Sequence, residues 1–260
     1  MSKIQQALSN QKSFIAFVTA NDPDLETTVQ NVLALAEGGA DLVEIGIPFS
    51  DPVADGPVIQ KADVRALKDP NLPVDAIFEA VQKIRQQSDV PLAFLVYCNM
   101  VFQYGYDAFI AACAKYGVDG LIIPDLPYEE QGELTPYTKK HGIDLIPLVT
   151  SHSGDRIPRL VKGMTGFVYL VSSNGVTGQR SEEDFSQNLD QLVNSVRRAT
   201  DLPIEIGFGI HSPKQANEMA ALADGAIVGS ACVAICEQYG RQAPAHLKDY
   251  AQEMVTAIRG

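Results

Sequence analysis

The sequence predicts an α/β protein of the (β/α)8, or TIM, barrel class, in which eight parallel strands form a cylinder inside a ring of helices. Eight short apolar runs alternate with segments of helical spacing along the 260 residues. The runs are apolar throughout, as is typical of strands that helices cover on both faces, and about 250 residues is the usual length of eight such units. An open doubly wound sheet is the alternative architecture.

Each apolar run is interpreted as a strand because it is short and rich in Val, Ile and Leu. In chain order the predicted strands are Phe14–Thr19, Leu42–Ile47, Leu92–Cys98, Gly120–Pro124, Leu145–Val149, Phe167–Val171, Ile204–Phe208 and Ala226–Val228. The amphipathic segments between them predict the helices Asp24–Glu37, Val74–Gln87, Tyr106–Tyr116, Glu129–Lys140, Phe185–Ala199, Pro213–Ala221, Ser230–Gln238 and Pro244–Ile258. No linker rich in Pro, Gly or Ser interrupts this order, so residues 1–260 are predicted to form a single domain.

Four helix-to-strand joints follow one sequence plan, which supports a repeating unit. In three of them a glycine ends the helix and is predicted to adopt the left-handed conformation, and these glycines are Gly39, Gly117 and Gly142. An aspartate leads into the strand in all four joints, at Asp41, Asp119, Asp144 and Asp224.

The excess of acidic over basic residues argues against nucleic-acid and membrane-surface partners. The chain has 32 acidic and 20 basic residues and a formal charge of −12, so its surface repels phosphate backbones and anionic lipid headgroups. An anionic ligand would have to be held by local backbone N–H groups.

The length of the apolar runs and the spacing of the cysteines indicate the cellular compartment of the protein. No run reaches the roughly 18 apolar residues of a membrane span, and residues 1–12 are too polar for a secretory signal, so we expect a cytoplasmic protein. The cysteines form no Cys-x-x-Cys pair and are expected to be small packed thiols and not metal ligands: Cys98, Cys113, Cys232 and Cys236.

A carboxylate interrupts the second predicted strand. Alternation places Leu42, Glu44 and Gly46 on one face of this strand, and one of its two faces looks into the barrel. Burial would raise the pKa of Glu44, which suits a group that donates and accepts a proton near neutral pH. A structural Glu paired with Lys or Arg is the equal alternative from this strand alone.

The loop that follows, residues 48–57, contains three prolines and a glycine and presents Asp51 and Asp55. Turn chemistry explains each aspartate separately. Glu44 on the strand and Asp55 just beyond it together suggest two carboxylates that converge on one pocket.

Glycine-bearing loops follow the sixth, seventh and eighth strands, at residues 173–178, 207–210 and 229–230. Glycine lets the backbone approach a ligand closely, and barrels of this class commonly hold a phosphate at these loops. No Walker-type Gly-Lys-Ser/Thr motif follows a strand, so the predicted ligand is a phosphate ester and not a nucleoside triphosphate.

The segment from Glu44 to Pro57 closely resembles the signature of the tryptophan synthase alpha subunit family. Further blocks similar to that family follow in order, so that the resemblance covers the chain from about Phe14 to Ala234: residues 17–19, 97–102, 124–127, 175–178, 207–210 and 229–230. The resemblance implies retro-aldol cleavage of indole-3-glycerol phosphate to indole and glyceraldehyde 3-phosphate in L-tryptophan biosynthesis. It implies no metal and no organic cofactor in this subunit.

The resemblance also implies roles for individual residues. Glu44 matches the general acid/base, Asp55 the carboxylate that stabilises the indole N–H, and Tyr169 a tyrosine that positions the substrate. The phosphate would be bound by Gly178, Gly209, Gly229 and Ser230, and Thr177 could hydrogen-bond Asp55 when its loop closes.

The indole pocket would contain Phe17, Leu95, Phe208 and Ile227, for which a plain core role is as well supported. Glu205 has no counterpart in the family motifs and is a candidate for a structural ion pair.

The family works with a pyridoxal-phosphate-dependent beta subunit as an alpha2beta2 heterotetramer, so the resemblance implies that partner. Asp51 and Asn99 are the candidate interface residues. The chain departs from many relatives at residues 172–174, where it reads Ser-Ser-Asn, and this departure bears on closure of the loop after the sixth strand.

Three other functions stay open from the sequence. Another phosphate-binding aldolase or isomerase could use the same barrel, although the segment from Glu44 to Pro57 gives it no support. A stand-alone lyase could release free indole without a beta subunit. A catalytically silent subunit could activate a partner, although Glu44 and Asp55 argue against that function.

Overall fold

The computed structural model describes residues 1–68, 72–172, 182–207 and 209–260, with the backbone alone for residues 182–187. Within these ranges nine parallel strands form one sheet in the order β5-β4-β3-β2-β1-β9-β8-β7-β6. The strands are β1 Ser13–Thr19, β2 Leu42–Gly46, β3 Leu92–Leu95, β4 Gly120–Ile122, β5 Asp144–Leu145, β6 Leu148–Thr150, β7 Val168–Val171, β8 Ile204–Gly207 and β9 Gly225–Val228.

The two end strands of that order, β5 and β6, are halves of one barrel strand. Only Ile146 and Pro147 separate them, and both residues continue the hydrogen bonding. The Ile146 N–H donates to the Leu121 carbonyl of the β4 side at 2.9 Å, and the Tyr169 N–H of β7 donates to the Pro147 carbonyl at 3.0 Å. The sheet therefore closes into the predicted (β/α)8 barrel. The single predicted run Leu145–Val149 is interrupted because Pro147 has no N–H to donate to a ladder.

Helices cover the outside of the sheet and one end of the barrel. They are α1 Lys3–Leu8, α2 Leu25–Glu37, α3 Pro57–Ala66, α4 Val74–Arg85, α5 Cys98–Tyr104, α6 Tyr106–Tyr116, α7 Thr135–His141, α8 Ile157–Val161, α9 Glu182–Arg197, α10 Pro213–Leu222, α11 Ser230–Tyr239 and α12 Ala243–Arg259. The predicted helix Glu129–Lys140 is a 3-10 helix, Tyr128–Glu133, followed by α7. Helices α1, α3, α5 and α8 were not predicted. Helices α1, α5 and α8 have only 6, 7 and 5 residues, so a helical period hardly repeats in them.

The helix-to-strand joints take the predicted backbone form. Gly117 and Gly142 end α6 and α7 with φ of 89° and 70°, and Gly39 follows α2 with φ of 99°. The joint aspartates Asp41, Asp119 and Asp224 each accept a hydrogen bond from the neighbouring strand, namely from the N–H groups of Phe14, Leu92 and Ile204 at 2.8, 2.9 and 2.8 Å. Each also pairs with an arginine of the outer helices: Arg259, Arg85 and Arg197 respectively. The repeated aspartate therefore ties two strands and a helix together.

The barrel interior is largely apolar towards the amino-terminal ends of the strands, where Ser13 and Glu205 are the buried polar exceptions among the described residues. Ile15, Leu42 and Phe167 pack there against Ile4 and Leu8 of α1, and all five side chains are buried. Helix α1 thus plugs this end of the barrel, and burial of a side chain such as Leu8 contributes roughly 2 kcal/mol to stability. The rest of the interior, towards the carboxyl ends, holds the side chains described next.

None of the described helices is both long and apolar enough to cross a membrane. Cys113, Cys232 and Cys236 are buried free thiols, as predicted, and Cys98 is partly exposed. Among the described residues, no group of His, Cys, Asp and Glu side chains has an arrangement that could hold a metal ion.

Candidate active site

A cavity of about 460 Å³ lies at the carboxyl ends of the strands. Nine of the residues singled out in the sequence line it: Phe17, Glu44, Asp55, Leu95, Tyr169, Gly209, Ile227, Gly229 and Ser230. Three others, Thr177, Gly178 and Phe208, lie outside the described residues, as do Ser173 and Asn174. The cavity has one apolar wall, two carboxyl groups and a glycine-lined edge.

Glu44 is held in the cavity by the alternation of β2. It shares the inward face with Leu42 and Gly46, and the Phe17 ring packs so closely on Gly46 that a Cβ there would lie 2.6 Å from it. The residue is 1% exposed, and its Oε1 atom has no hydrogen-bond partner among the described residues. Burial raises the pKa of Glu44 to about 8, so the side chain is protonated at neutral pH. No Lys or Arg in the described part of the chain forms a salt bridge with Glu44, contrary to the ion-pair alternative.

Asp55 stands on the loop between β2 and α3 and is oriented by a tyrosine. The Tyr97 hydroxyl donates to Oδ2 of Asp55 at 2.7 Å and accepts from the Ala54 N–H at 3.0 Å. The Tyr97 ring in turn stacks on Phe49, with ring centroids 5.0 Å apart. Burial raises the pKa of Asp55, and the Tyr97 hydrogen bond opposes that rise. Tyr97 was not singled out in the sequence, although it begins the family block at residues 97–102.

Tyr169 projects into the cavity from β7. Its side chain covers Gly207 of β8, where a Cβ would lie 2.6 Å from the hydroxyl oxygen, so this position requires glycine. Burial first, and then the charges of Glu44 and Asp55, raise the pKa of Tyr169 well above its ordinary value. The phenol therefore stays neutral and can donate a hydrogen bond.

The glycine-lined edge contains the start of a helix. Gly229 is the N-cap of α11, whose first residue is Ser230, and both line the cavity. The N–H groups of a first helical turn have no partner within their helix and favour an anion. Gly209 follows β8 with φ of 80°, a conformation that favours glycine.

The apolar wall is formed partly by expected and partly by unexpected residues. Phe17, Leu95 and Ile227 were expected there, and Ile59, Ile122 and Leu148 line the cavity as well. Phe17 and Ile227 also belong to buried clusters of the barrel interior, so they are cavity wall and core at once. A flat aromatic ligand would be covered by these side chains.

The other residues singled out in the sequence lie outside the cavity; they are Asp51, Asn99 and Glu205. Asp51 and Asn99 are exposed and do not line the cavity; they are on the β2–α3 loop and in the first turn of α5. Glu205 forms no salt bridge with any described residue, and the ion-pair expectation is wrong for this part of the structure. It is buried inside the barrel, where the Ser13 hydroxyl donates to it at 2.7 Å.

The chain is similar to known proteins over its whole length. The family model for the tryptophan synthase alpha chain matches residues 3–259. The tryptophan synthase alpha chain of Lacticaseibacillus casei is 51% identical over 258 residues, which are 99% of this chain and 96% of that protein. That of Lactiplantibacillus plantarum is also 51% identical, over 261 residues that cover 100% of this chain and 97% of that protein.

Solved structures support the same relationship. The tryptophan synthase subunit alpha from Legionella pneumophila superposes with a TM-score of 0.88 at 32% identity and covers 99% of this chain and 98% of its own. A ligand-free tryptophan synthase structure from M. tuberculosis has a TM-score of 0.88 at 32% identity over 100% of both chains. The chain therefore belongs to the tryptophan synthase alpha chain family.

Proposed function

We propose that this chain cleaves indole-3-glycerol phosphate to indole and glyceraldehyde 3-phosphate in the cavity, with Glu44 as the general acid/base. The observation that carries the assignment of Glu44 is its position: a buried carboxyl without a salt-bridge partner among the described residues, facing an apolar cavity. Such a group keeps its proton near neutral pH and can deliver it. The lyase activity itself is that of the family.

The reaction needs two proton transfers at neighbouring atoms. The indole ring carbon that carries the side chain must be protonated, and the adjacent side-chain hydroxyl must lose its proton as the carbon–carbon bond breaks and the aldehyde forms. Protonated Glu44 supplies the first proton, and its carboxylate then accepts the second. One residue thus returns to its starting state in each turnover.

Positive charge develops on the indole nitrogen when the ring carbon is protonated. In our proposal the Asp55 carboxylate accepts a hydrogen bond from the indole N–H, and this bond strengthens as the charge grows. Tyr97 holds Asp55 towards the cavity at 2.7 Å, which limits the reorganisation needed during reaction. Tyr169 supports the substrate from the neighbouring wall.

The glycine-lined edge is the proposed phosphate site. The N–H groups of Gly209, Gly229 and Ser230 would bind the phosphate oxygens, with Gly178 as a further predicted donor. The net charge of −12 makes such a local site necessary, because the global field repels a dianion. The apolar wall opposite it would hold the indole ring.

We further propose that the chain works in the cytoplasm, in an alpha2beta2 complex with a pyridoxal-phosphate-dependent beta subunit. Two large exposed apolar side chains on the segments that follow β2 and β3 support a partner surface: Val53, on the β2–α3 loop, is 82% exposed, and Phe102, in helix α5, is 62% exposed. Asp51 and Asn99 lie on the same two segments. The free thiols fit a reducing compartment.

Adding a beta subunit is expected to raise turnover, because a partner that covers the Val53 and Phe102 surface would exclude water from the cavity. The experiment incubates the purified chain with indole-3-glycerol phosphate, titrates the beta subunit to saturation and measures indole. Free indole at an unchanged rate would favour the stand-alone lyase. No indole from the chain alone or in the complex would favour the silent activating subunit.

Replacing Tyr97 with Phe is expected to lower kcat about tenfold, because the loss of one hydrogen bond to a charged group costs about 1.5 kcal/mol. The KM should change little, since Tyr97 does not line the cavity. Tyr104→Phe is the matched control, since the Tyr104 hydroxyl bonds Asp75 and not a cavity residue. Equal kcat values for Tyr97→Phe and the unmodified chain would show that Asp55 needs no such support.

A further inference from the structure

The segment between β8 and α10 forms the edge of the cavity at Gly209. Gly209 has φ of 80°, and a Cβ placed on it would contact no described atom within 4 Å, so side-chain packing does not hold this residue. A glycine in open space has a wide choice of backbone conformations. Hydrogen bonds must therefore fix the direction of the peptide groups around Gly209.

His211 makes such a hydrogen bond from two residues further along the chain. Its Nδ1 atom lies 3.0 Å from the carbonyl oxygen of Gly209. A carbonyl oxygen can only accept a hydrogen bond, so Nδ1 is the donor and carries a proton. The His211 side chain is exposed and does not line the cavity. It therefore acts on the cavity edge through the Gly209 peptide group.

The backbone of His211 is itself held on both sides. Its N–H donates to the Oε1 atom of Gln215 at 3.1 Å, and its carbonyl accepts from the Tyr250 hydroxyl at 3.2 Å. Gln215 is in the first turn of α10, and its own N–H donates to the hydroxyl of the N-cap residue Ser212. This arrangement is a variant of the capping box, in which the Gln side chain reaches one residue beyond the N-cap.

Tyr250 connects the same segment to the packed body of the barrel. It is a partly buried residue of α12 and packs against the hydrophobic core. Helix α12 contacts both α10 and α11, and α11 begins at Ser230 on the same edge of the cavity. One helix thus supports both halves of the proposed phosphate site.

We propose that His211 is a positioning residue for the phosphate group of the substrate, and that its Nδ1–H holds the Gly209 peptide in the conformation that binds the phosphate. Gln215 and Tyr250 hold His211 in place for this task. The proposal rests on the phosphate site proposed above. Groups that are oriented before the ligand arrives need no ordering when it binds. His211 therefore serves affinity for the phosphate and not the proton transfers.

The test measures kcat and KM for indole-3-glycerol phosphate and the Kd of glycerol phosphate. In His211→Ala we expect KM and Kd to rise about fivefold at unchanged kcat, the fold-change that corresponds to one lost hydrogen bond. In His211→Asn both constants should stay within about twofold of the unmodified chain, because the amide N–H is as many bonds from the backbone as Nδ1–H. Tyr250→Phe should raise both constants about twofold, because it acts through His211.

Two controls separate positioning from general damage. His246→Ala removes another exposed histidine, which stacks on Tyr239 and does not line the cavity, and it should change neither constant. Free indole has no phosphate, and its affinity should be equal in His211→Ala and the unmodified chain.

Three results would overturn the proposal. The first is an unchanged Kd of glycerol phosphate in His211→Ala. The second is an equal loss of affinity in His211→Asn, which would assign the effect to the imidazole ring and not to its Nδ1–H. The third is a parallel loss of indole affinity. If the expected loss of phosphate affinity occurs in a chain that releases no indole, the proposed lyase function is wrong and the role of His211 stands.

Discussion

Replacing Glu44 with Gln is expected to lower indole release by roughly 1,000-fold, within the range that general acid–base catalysis contributes. The amide has nearly the same shape as the acid, but it can neither deliver a proton to the indole ring nor accept one from the side-chain hydroxyl. The measurement is kcat for indole formation from indole-3-glycerol phosphate. Affinity for glycerol phosphate should be unchanged, because the proposed anion site is built from backbone groups of other loops.

The same variant should become relatively more stable as the pH rises. The pKa of Glu44 is raised from 4.5 to about 8 in the folded chain, so the folded state holds a proton that the unfolded state has lost. Between these two pH values the free energy of unfolding of the unmodified chain decreases as the pH rises. The amide side chain of the variant does not titrate, so the variant lacks this decrease. Thermal unfolding at pH 5 and pH 8 should show the difference in Tm growing in favour of Glu44→Gln. Near-normal turnover by this variant would remove Glu44 from the mechanism.

Replacing Asp55 with Asn is expected to lower kcat about 100-fold, the usual loss when one group that stabilises developing charge is removed. The amide oxygen can still accept a hydrogen bond from the indole N–H, but it carries no charge to oppose the one that forms on the ring. Single-turnover measurements of indole formation isolate the chemical step from product release. The matched control is Asp249→Asn, an exposed position on α12 far from the cavity lining.

The ligand affinities of Asp55→Asn distinguish a role of Asp55 in catalysis from a role in substrate binding. We expect glycerol phosphate to bind within about twofold of its affinity for the unmodified chain, because the proposed anion site is built from backbone N–H groups of other loops. A selective loss of phosphate affinity with normal cleavage at saturation would reassign Asp55 to substrate binding.

The barrel could be predicted from the sequence because its signal is local and repeated. Runs of buried strand residues recur along the chain, glycines such as Gly117 and Gly142 recur at three of the helix-to-strand joints, and the alternation around Glu44 places its side chain inside the cylinder. The break at Pro147 was missed because the run reads as one continuous apolar strand. The helix α5 was missed because it is short and because its first residue, Cys98, was counted as the end of the predicted strand Leu92–Cys98.

The site could be predicted only in part, because several of its contacts join distant segments. Tyr97 and Asp55 are 42 residues apart, and no spacing rule links them. Asp63 reads as an ordinary polar residue of a helix, and its burial, at 6% exposed, follows from packing that the sequence does not show. The absence of a cation beside Glu44, within the described ranges, is likewise a tertiary property. The predicted roles of Thr177, Gly178 and Phe208 stay predictions.

The plug formed by Ile4 and Leu8 limits the route by which substrate enters and products leave the barrel. With the far end of the cylinder filled, the described residues form a blind well with its mouth at the carboxyl ends of the strands. Substrate must enter and both products must leave past the same rim. Whatever molecule sits on that rim decides whether indole escapes to the solvent or is handed onward.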